Sequence, residues 1–270
     1  MNMEQLVGLL QLVPVQRAIL ALFIASTAMP IVGVFIVGLN IMAVRFAMMH
    51  VALLGIALGL LLGIDPTLFG LLLCAIAGAI TAPFAGRPAG LSGLHGFLMT
   101  MAIAAALFVL SLSGVNANGA FELLWGSILA TRSMDVIIIA VIAVIVITLY
   151  VWQSHHLGLL LFDREIALCS GVRVEQLTLV LLVVIAVAVA ASVRLTGALL
   201  VDSITLLPAL GARNLGNSLQ SCVRWAIILA VFGNLLGFAL TLLFNQPPGP
   251  MLVLCVGGLT LLTYFKGNKK

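Results

Sequence analysis

Charge is scarce in this chain, with only 12 Lys and Arg and 8 Asp and Glu among 270 residues, 7% in all. Soluble domains carry roughly 25% charged residues, so a surface facing water over its whole extent is excluded. No stretch is polar enough for a separate soluble domain. A nucleotide-binding, catalytic or receptor domain is therefore expected on another polypeptide. A cleaved signal peptide is not expected either, because Glu4 and Gln5 stand where a basic region would precede the apolar core. The four cysteines (Cys74, Cys169, Cys222, Cys255) are scattered and form no CxxC pair or zinc spacing. They read as small buried residues. Walker A, GxSxG and HExxH patterns are all missing. The net charge of +4 would suggest nucleic acid in a soluble protein, but here it reads as membrane topology.

What remains is apolar. Hydrophobic residues make up 63% of the chain and the mean hydropathy is +1.32. A helix crosses a bilayer with about 20 largely apolar residues. The apolar runs give an all-α, polytopic transmembrane bundle of about nine spans, with eight as the alternative if the first segment is re-entrant. The whole chain, 1–270, reads as one membrane domain. Residues 1–14 hold a candidate interfacial helix ending near Pro14. Spans are expected at about Ala18–Leu39, Ala47–Leu62, then from the Gly63-Ile64-Asp65-Pro66 turn to Pro83, and at Leu94–Leu112. The segment Ser113–Asp135 is the longest non-apolar stretch, with a half-apolar centre at Phe121–Leu129. Further spans follow at about Val136–Trp152, Leu177–Val193, Thr196–Ala212, Trp225–Phe244 and Met251–Phe265. Residues 153–176 form the main charged connection. The Lys-rich tail, Arg213, Arg224, Arg164, Arg173, Arg87 and Arg45 then share one side, which the positive-inside rule makes cytoplasmic.

Two places can carry chemistry. Asp163-Arg164-Glu165-Ile166-Ala167-Leu168-Cys169-Ser170-Gly171 is a short helical pattern with acids early and a glycine at its end. It reads either as a capped loop helix or as a docking helix for a soluble partner. Ionisable residues inside the membrane are the other candidates, since a central charge costs at least about 2.5–3.5 kcal/mol. Asp202 lies inside the seventh expected span and His50 at the start of the second. Asn234, in the eighth, reads more readily as a hydrogen bond between helices. Pro208 is expected to loosen the helix after Asp202. Met42, Met48 and Met49 precede His50, a thioether and imidazole set that gap-filling packing explains as well as a soft metal does. His95, His155 and His156 read as interfacial.

These fragments together resemble the membrane subunits of bacterial zinc/manganese/iron ABC importers, over nearly the whole chain. Phe35–Asn40 with His50–Gly59 is similar to F-V-V-L-R-R followed by S-H-A-x-L-P-G-V-A-L-G. Leu124–Leu129 resembles L-F-G-S-I-L, and Phe162–Val172 resembles F-D-P-E-F-A-x-x-x-G-V. Gly197–Ala209 is similar to G-x-L-L-V-x-x-L-L-x-x-P-A, and Pro247–Pro250 to P-S-G-P. The resemblance implies a multi-pass subunit of the bacterial cytoplasmic (inner) membrane, not itself an enzyme. It implies cytoplasmic ATPase subunits, an extracytoplasmic solute-binding protein and a second permease copy. ATP would sit on the partner, with no cofactor on this subunit and no nucleic acid. ATPase coupling falls on Asp163, Glu165, Ala167 and Gly171, and the substrate pathway on His50 and Asp202, with His50 the candidate metal ligand. In the family the second span opens with G-D-A-L-S-H. Here His50 is kept while Phe46 stands in place of the aspartate, and Asp202 stands where the family has an apolar residue. A chelated metal or another small solute is thus an alternative to a bare divalent ion. A secondary transporter relaying protons through Asp202 is the rival mechanism.

Overall fold

The computed structural model describes residue 8 and residues 11–86, 88–113 and 128–267. The described residues are helical: α1 (Val13–Gly38), α2 (Met42–Leu62), α3 (Pro66–Thr81), α4 (Pro88–Leu112), α5 (Ser133–Phe162), α6 (Arg164–Cys169), α7 (Val174–Ile204), α8 (Leu206–Leu215), α9 (Leu219–Phe244) and α10 (Pro248–Gly267), with 3₁₀ turns at Ala82–Gly86 and Ile128–Ala130. Among them, eight helices are long and apolar enough to cross a bilayer. The chain divides into two compact units, one of residues 1–37, 125–147 and 195–270, the other of residues 38–124 and 148–194.

In the second unit α2 packs on α3 and α4. Gly55 and Gly59, four apart on α2, present a bare strip to α3. A Cβ at Gly55 would lie 2.5 Å from the Gly70 Cα, and one at Gly59 would lie 2.7 Å from the Pro66 Cα. Lipid gives helices little hydrophobic reason to associate, so such close backbone approach is what supplies their packing energy. The Cys74 thiol donates to the Met48 carbonyl at 3.3 Å and adds a polar tie between the same two helices. Gly63 (φ +68) closes α2, and the Asp65 carboxylate caps α3 by accepting from Thr67 N and Leu68 N at 2.8 and 3.1 Å. Pro66 occupies the first turn of α3, where a missing N–H costs nothing. Further along α3, Gly78 meets Leu182 and Ala186 of α7.

In the first unit α8, α9 and α10 pack on one another. Gly233 and Gly237 of α9 lie against Val256 and Leu252 of α10, where a Cβ would come within 2.8 and 2.9 Å. Thr260 donates to the Leu207 carbonyl at 2.8 Å, and Asn214 donates to the Thr263 hydroxyl at 3.1 Å.

Three expectations change. The seventh span, Thr196–Ala212, is not one helix. Its first part belongs to α7 beyond a break at Gly197 (φ 77, ψ 164), and its second part is α8. Pro208 lies in the first turn of α8 and cannot donate to the Ile204 carbonyl, so the interruption falls at Thr205, ahead of the proline. The second span starts at Met42, and Arg45 lies inside it, 1% exposed, instead of in a cytoplasmic loop. The connection is short because Asn40 turns the chain at φ 55. Pro14 sits in the first turn of α1. His95 is buried, at 1% exposure, because α4 carries it on a packed face. The rest of the candidate interfacial helix, the centre of 113–135 and the Lys-rich tail from residue 268 lie outside the described residues.

Candidate functional site

The connector between α5 and α7 is shaped by its own sequence. Asp163 is extended (φ −159, ψ 127), and its Oδ1 accepts from Glu165 N at 2.7 Å and Ile166 N at 3.1 Å, so two of the orphan donors of α6 are satisfied. At the other end Ser170 N bonds to the Ile166 carbonyl at 2.9 Å and Val172 N to the Ala167 carbonyl at 3.1 Å. Gly171 takes φ +79 between them. A Cβ there would meet nothing within 4 Å, so the positive φ and not crowding calls for glycine. Of the six residues of α6, Ala167 alone is buried. Ile166 and Leu168 are 45% and 52% exposed, beside exposed Glu165 and Cys169. The result is a rigidly capped knob with apolar and acidic surface outward and one small residue seated inward. Asp163, Glu165, Ala167 and Gly171 thus share one capped turn.

His50 and Asp202 fall in different units. In the second unit His50 is 6% exposed and its Nδ1 donates to the Phe46 carbonyl at 2.7 Å. A carbonyl can only accept, so the Nδ1 carries the proton and Nε2 is left as the lone-pair nitrogen of the neutral ring. One residue before Phe46, the Arg45 guanidinium stacks 3.9 Å from the centroid of the Phe46 ring. Phe46 therefore gives the neighbouring cation a place to lie. The pair is hidden from the sequence, because hydropathy places an arginine at the aqueous edge and not inside a span.

In the first unit Asp202 is half-buried on the stretch of α7 beyond the Gly197 break. The next residue, Ser203, is held from a distance. Asn234 of α9, fully buried, donates from Nδ2 to the Ser203 carbonyl at 3.4 Å and to the Ser26 hydroxyl of α1 at 3.2 Å. Gly33 of α1 lies directly against the Thr205 carbonyl and Ala209. A carboxylate on a short helix between two interruptions, with polar and glycine contacts fastening it, is how membrane transporters place polar groups within the bilayer. Among the described residues no three His, Cys, Asp or Glu side chains gather as a metal-holding group.

These features define a polytopic membrane transport subunit. The profile of the ABC 3 transport family matches residues 11–267, and the chain belongs to that family, the membrane permeases of bacterial zinc, manganese and iron ABC importers. It is 28% identical over 240 residues to the high-affinity zinc uptake system membrane protein ZnuB of Haemophilus influenzae, covering 88% of this chain and 91% of that protein. It is 24% identical over 249 residues to the manganese transport system membrane protein MntC of Listeria monocytogenes, covering 92% and 88%. Its fold is similar to that of PsaBC from Streptococcus pneumoniae, solved in complex with Fab, with a TM-score of 0.84, 22% identity and coverage of 98% and 96%.

Proposed function

We propose that this subunit forms the translocation channel of an ATP-driven importer for a divalent metal ion or a metal chelate. An extracytoplasmic binding protein delivers the solute, two cytoplasmic ATPase subunits drive the cycle, and a second copy of this chain completes the channel. ATP binds the ATPase, and this subunit carries no cofactor of its own. The protein sits in the bacterial cytoplasmic membrane with its C-terminus and the α5–α7 connector on the cytoplasmic side.

The observation that carries the reading is α6. A six-residue helix capped by Asp163 at one end and Gly171 at the other, with Glu165, Ile166 and Leu168 outward, is a preformed docking element on a family permease. His50 and Asp202 handle the solute. His50 offers Nε2 as a metal ligand or as a hydrogen-bond partner, and Asp202 supplies the carboxylate that α2 lacks.

The test is uptake of radioactive zinc and manganese, free and chelated, into vesicles holding the permease with its ATPase and binding protein. ATP should drive it, and a protonophore should leave it intact. With the complex still assembled, His50→Ala should lower uptake of both forms at least tenfold, and Asp202→Asn should lower that of the free ion by as much. Uptake driven by a proton gradient without ATP would instead identify the secondary-transporter mechanism through Asp202.

A further inference from the structure

The ends of α5 and α7 that flank α6 enclose a cleft of about 390 Å³ lined by Leu149, Gln153 and His156 from α5, Gly171, Val172 and Arg173 from the connector, and Gln176, Leu177 and Val180 from α7. All of it lies within the second unit. Its lining is ordered by polarity. Positions 149, 153 and 156 follow one helix face at steps of four and three, and 173, 176 and 180 follow the other at steps of three and four. On each helix the lining runs from cation through amide to aliphatic residue with distance from the connector: His156, Gln153 and Leu149 back along α5, and Arg173, Gln176 and Val180 onward into α7. At about 1.5 Å rise per residue, some 10 Å separates the cationic end from the apolar end.

We infer that this cleft binds an anionic phospholipid of the leaflet on the connector's side, with the phosphate between Arg173 and His156 and an acyl chain running down past Leu177 toward Leu149 and Val180. The chemistry fits each level. Arg173 is exposed and brings a permanent positive charge with several N–H donors. His156 Nδ1 donates to Gln153 Oε1 at 2.8 Å, which orients the ring, and in the imidazolium form Nε2–H is then the donor presented to a phosphate oxygen. The deeper lining is aliphatic, which suits a hydrocarbon tail and would suit a soluble anion poorly. Trp152, 81% exposed on α5 within the length of the cleft, is the amphipathic side chain that membrane interfaces favour. The acid nearest in the chain, Glu175, lines a separate cavity with Arg164, so no carboxylate lines the phosphate end. Gly171 and Val172 belong at once to the cleft wall and to the cap of α6. A bound lipid would therefore brace the docking helix from the membrane side.

The test uses the assembled complex of permease and ATPase in phosphatidylcholine nanodiscs, with and without phosphatidylglycerol, and reads retained lipid by native mass spectrometry. Wild type should retain phosphatidylglycerol. Arg173→Gln with His156→Gln should bind it about tenfold more weakly, as expected for one to two basic groups at a membrane surface. Arg224→Gln, which removes an exposed cation that does not line the cleft, should bind as wild type does. Equal loss in Arg224→Gln would mean bulk charge attraction and would overturn the site. Competition by glycerol 3-phosphate as strong as that by the lipid would overturn the lipid and leave a soluble phosphate as ligand. The side assignment for the connector is tested separately, by chemical labelling, so its failure and the failure of this site are distinguishable.

Discussion

Replacing Gly33 by alanine tests how the broken segment around Asp202 is held. A methyl group at Gly33 would run into the Thr205 carbonyl and lie 3.1 Å from the Ala209 Cβ. Thr205 is the residue at which α7 gives way to α8, so the obstacle is backbone, and no side-chain rotation clears it. Gly258 of α10 is the comparator, since a Cβ there meets nothing within 4 Å. Both substitutions gain the same helix propensity, up to about 1 kcal/mol, and that gain cancels in the difference. What remains is the overpacking at Gly33, about 1–3 kcal/mol. Reversible unfolding of the purified permease in mixed micelles, titrated with dodecyl sulfate, measures both free energies on one scale. Gly33→Ala should be less stable than Gly258→Ala by about that amount. Equal stability would mean that α1 does not press on the break, and the account of how Asp202 is positioned would fail with it.

The docking reading predicts that Gly171→Trp, which forces an L side chain into φ +79, lowers copurification of the ATPase severalfold, and that Asp163→Ala, removing an N-cap worth about 1 kcal/mol, lowers it less. An undiminished complex in both would count against docking through α6. Topology is checked with a membrane-impermeant maleimide. Gln246→Cys, exposed in the α9–α10 turn, should react in intact cells, and the natural Cys169, exposed on α6, only after permeabilisation. The reverse pattern would invert the assignment.

Much of this fold is written in local signals. Hydropathy alone separates the long helices, since a lipid-facing helix has to be apolar over its whole length. The Gly63-Ile64-Asp65-Pro66 turn and the Asp163 and Gly171 caps of α6 are legible because a cap is decided by residues three or four apart. The break at Gly197 is harder to read, because the apolar run continues through it unchanged and one glycine inside a helix is common in membranes. The burial of Arg45 is not legible from hydropathy, which assigns every arginine to the aqueous side. The structure stacks it on Phe46. Asn234 is legible as a helix fastener but its partners are not, since Ser26 is 208 residues away in the chain.

If the proposed pathway passes His50, the charge inventory of α2 narrows what it can carry. Met42–Leu62 holds one arginine and one histidine and no Asp or Glu. With Nδ1 committed to the Phe46 carbonyl, His50 can give a metal one neutral nitrogen. A single imidazole does not compensate a divalent charge moved away from water, and a buried ion persists only when paired or coordinated. The compensating negative charge must then come from outside α2. It comes either from Asp202, on the stretch of α7 fastened through Asn234 and Gly33, or from the solute itself, as the donor groups of a chelate. The two cases differ in the consequence of Asp202→Asn. If the carboxylate is the compensating charge, its loss stops the bare ion and spares an already neutralised chelate. If the solute brings its own anionic donors, the free ion is carried poorly even by the parent chain, and the same change alters neither uptake. Relative uptake of free and chelated metal by that one variant therefore assigns the charge.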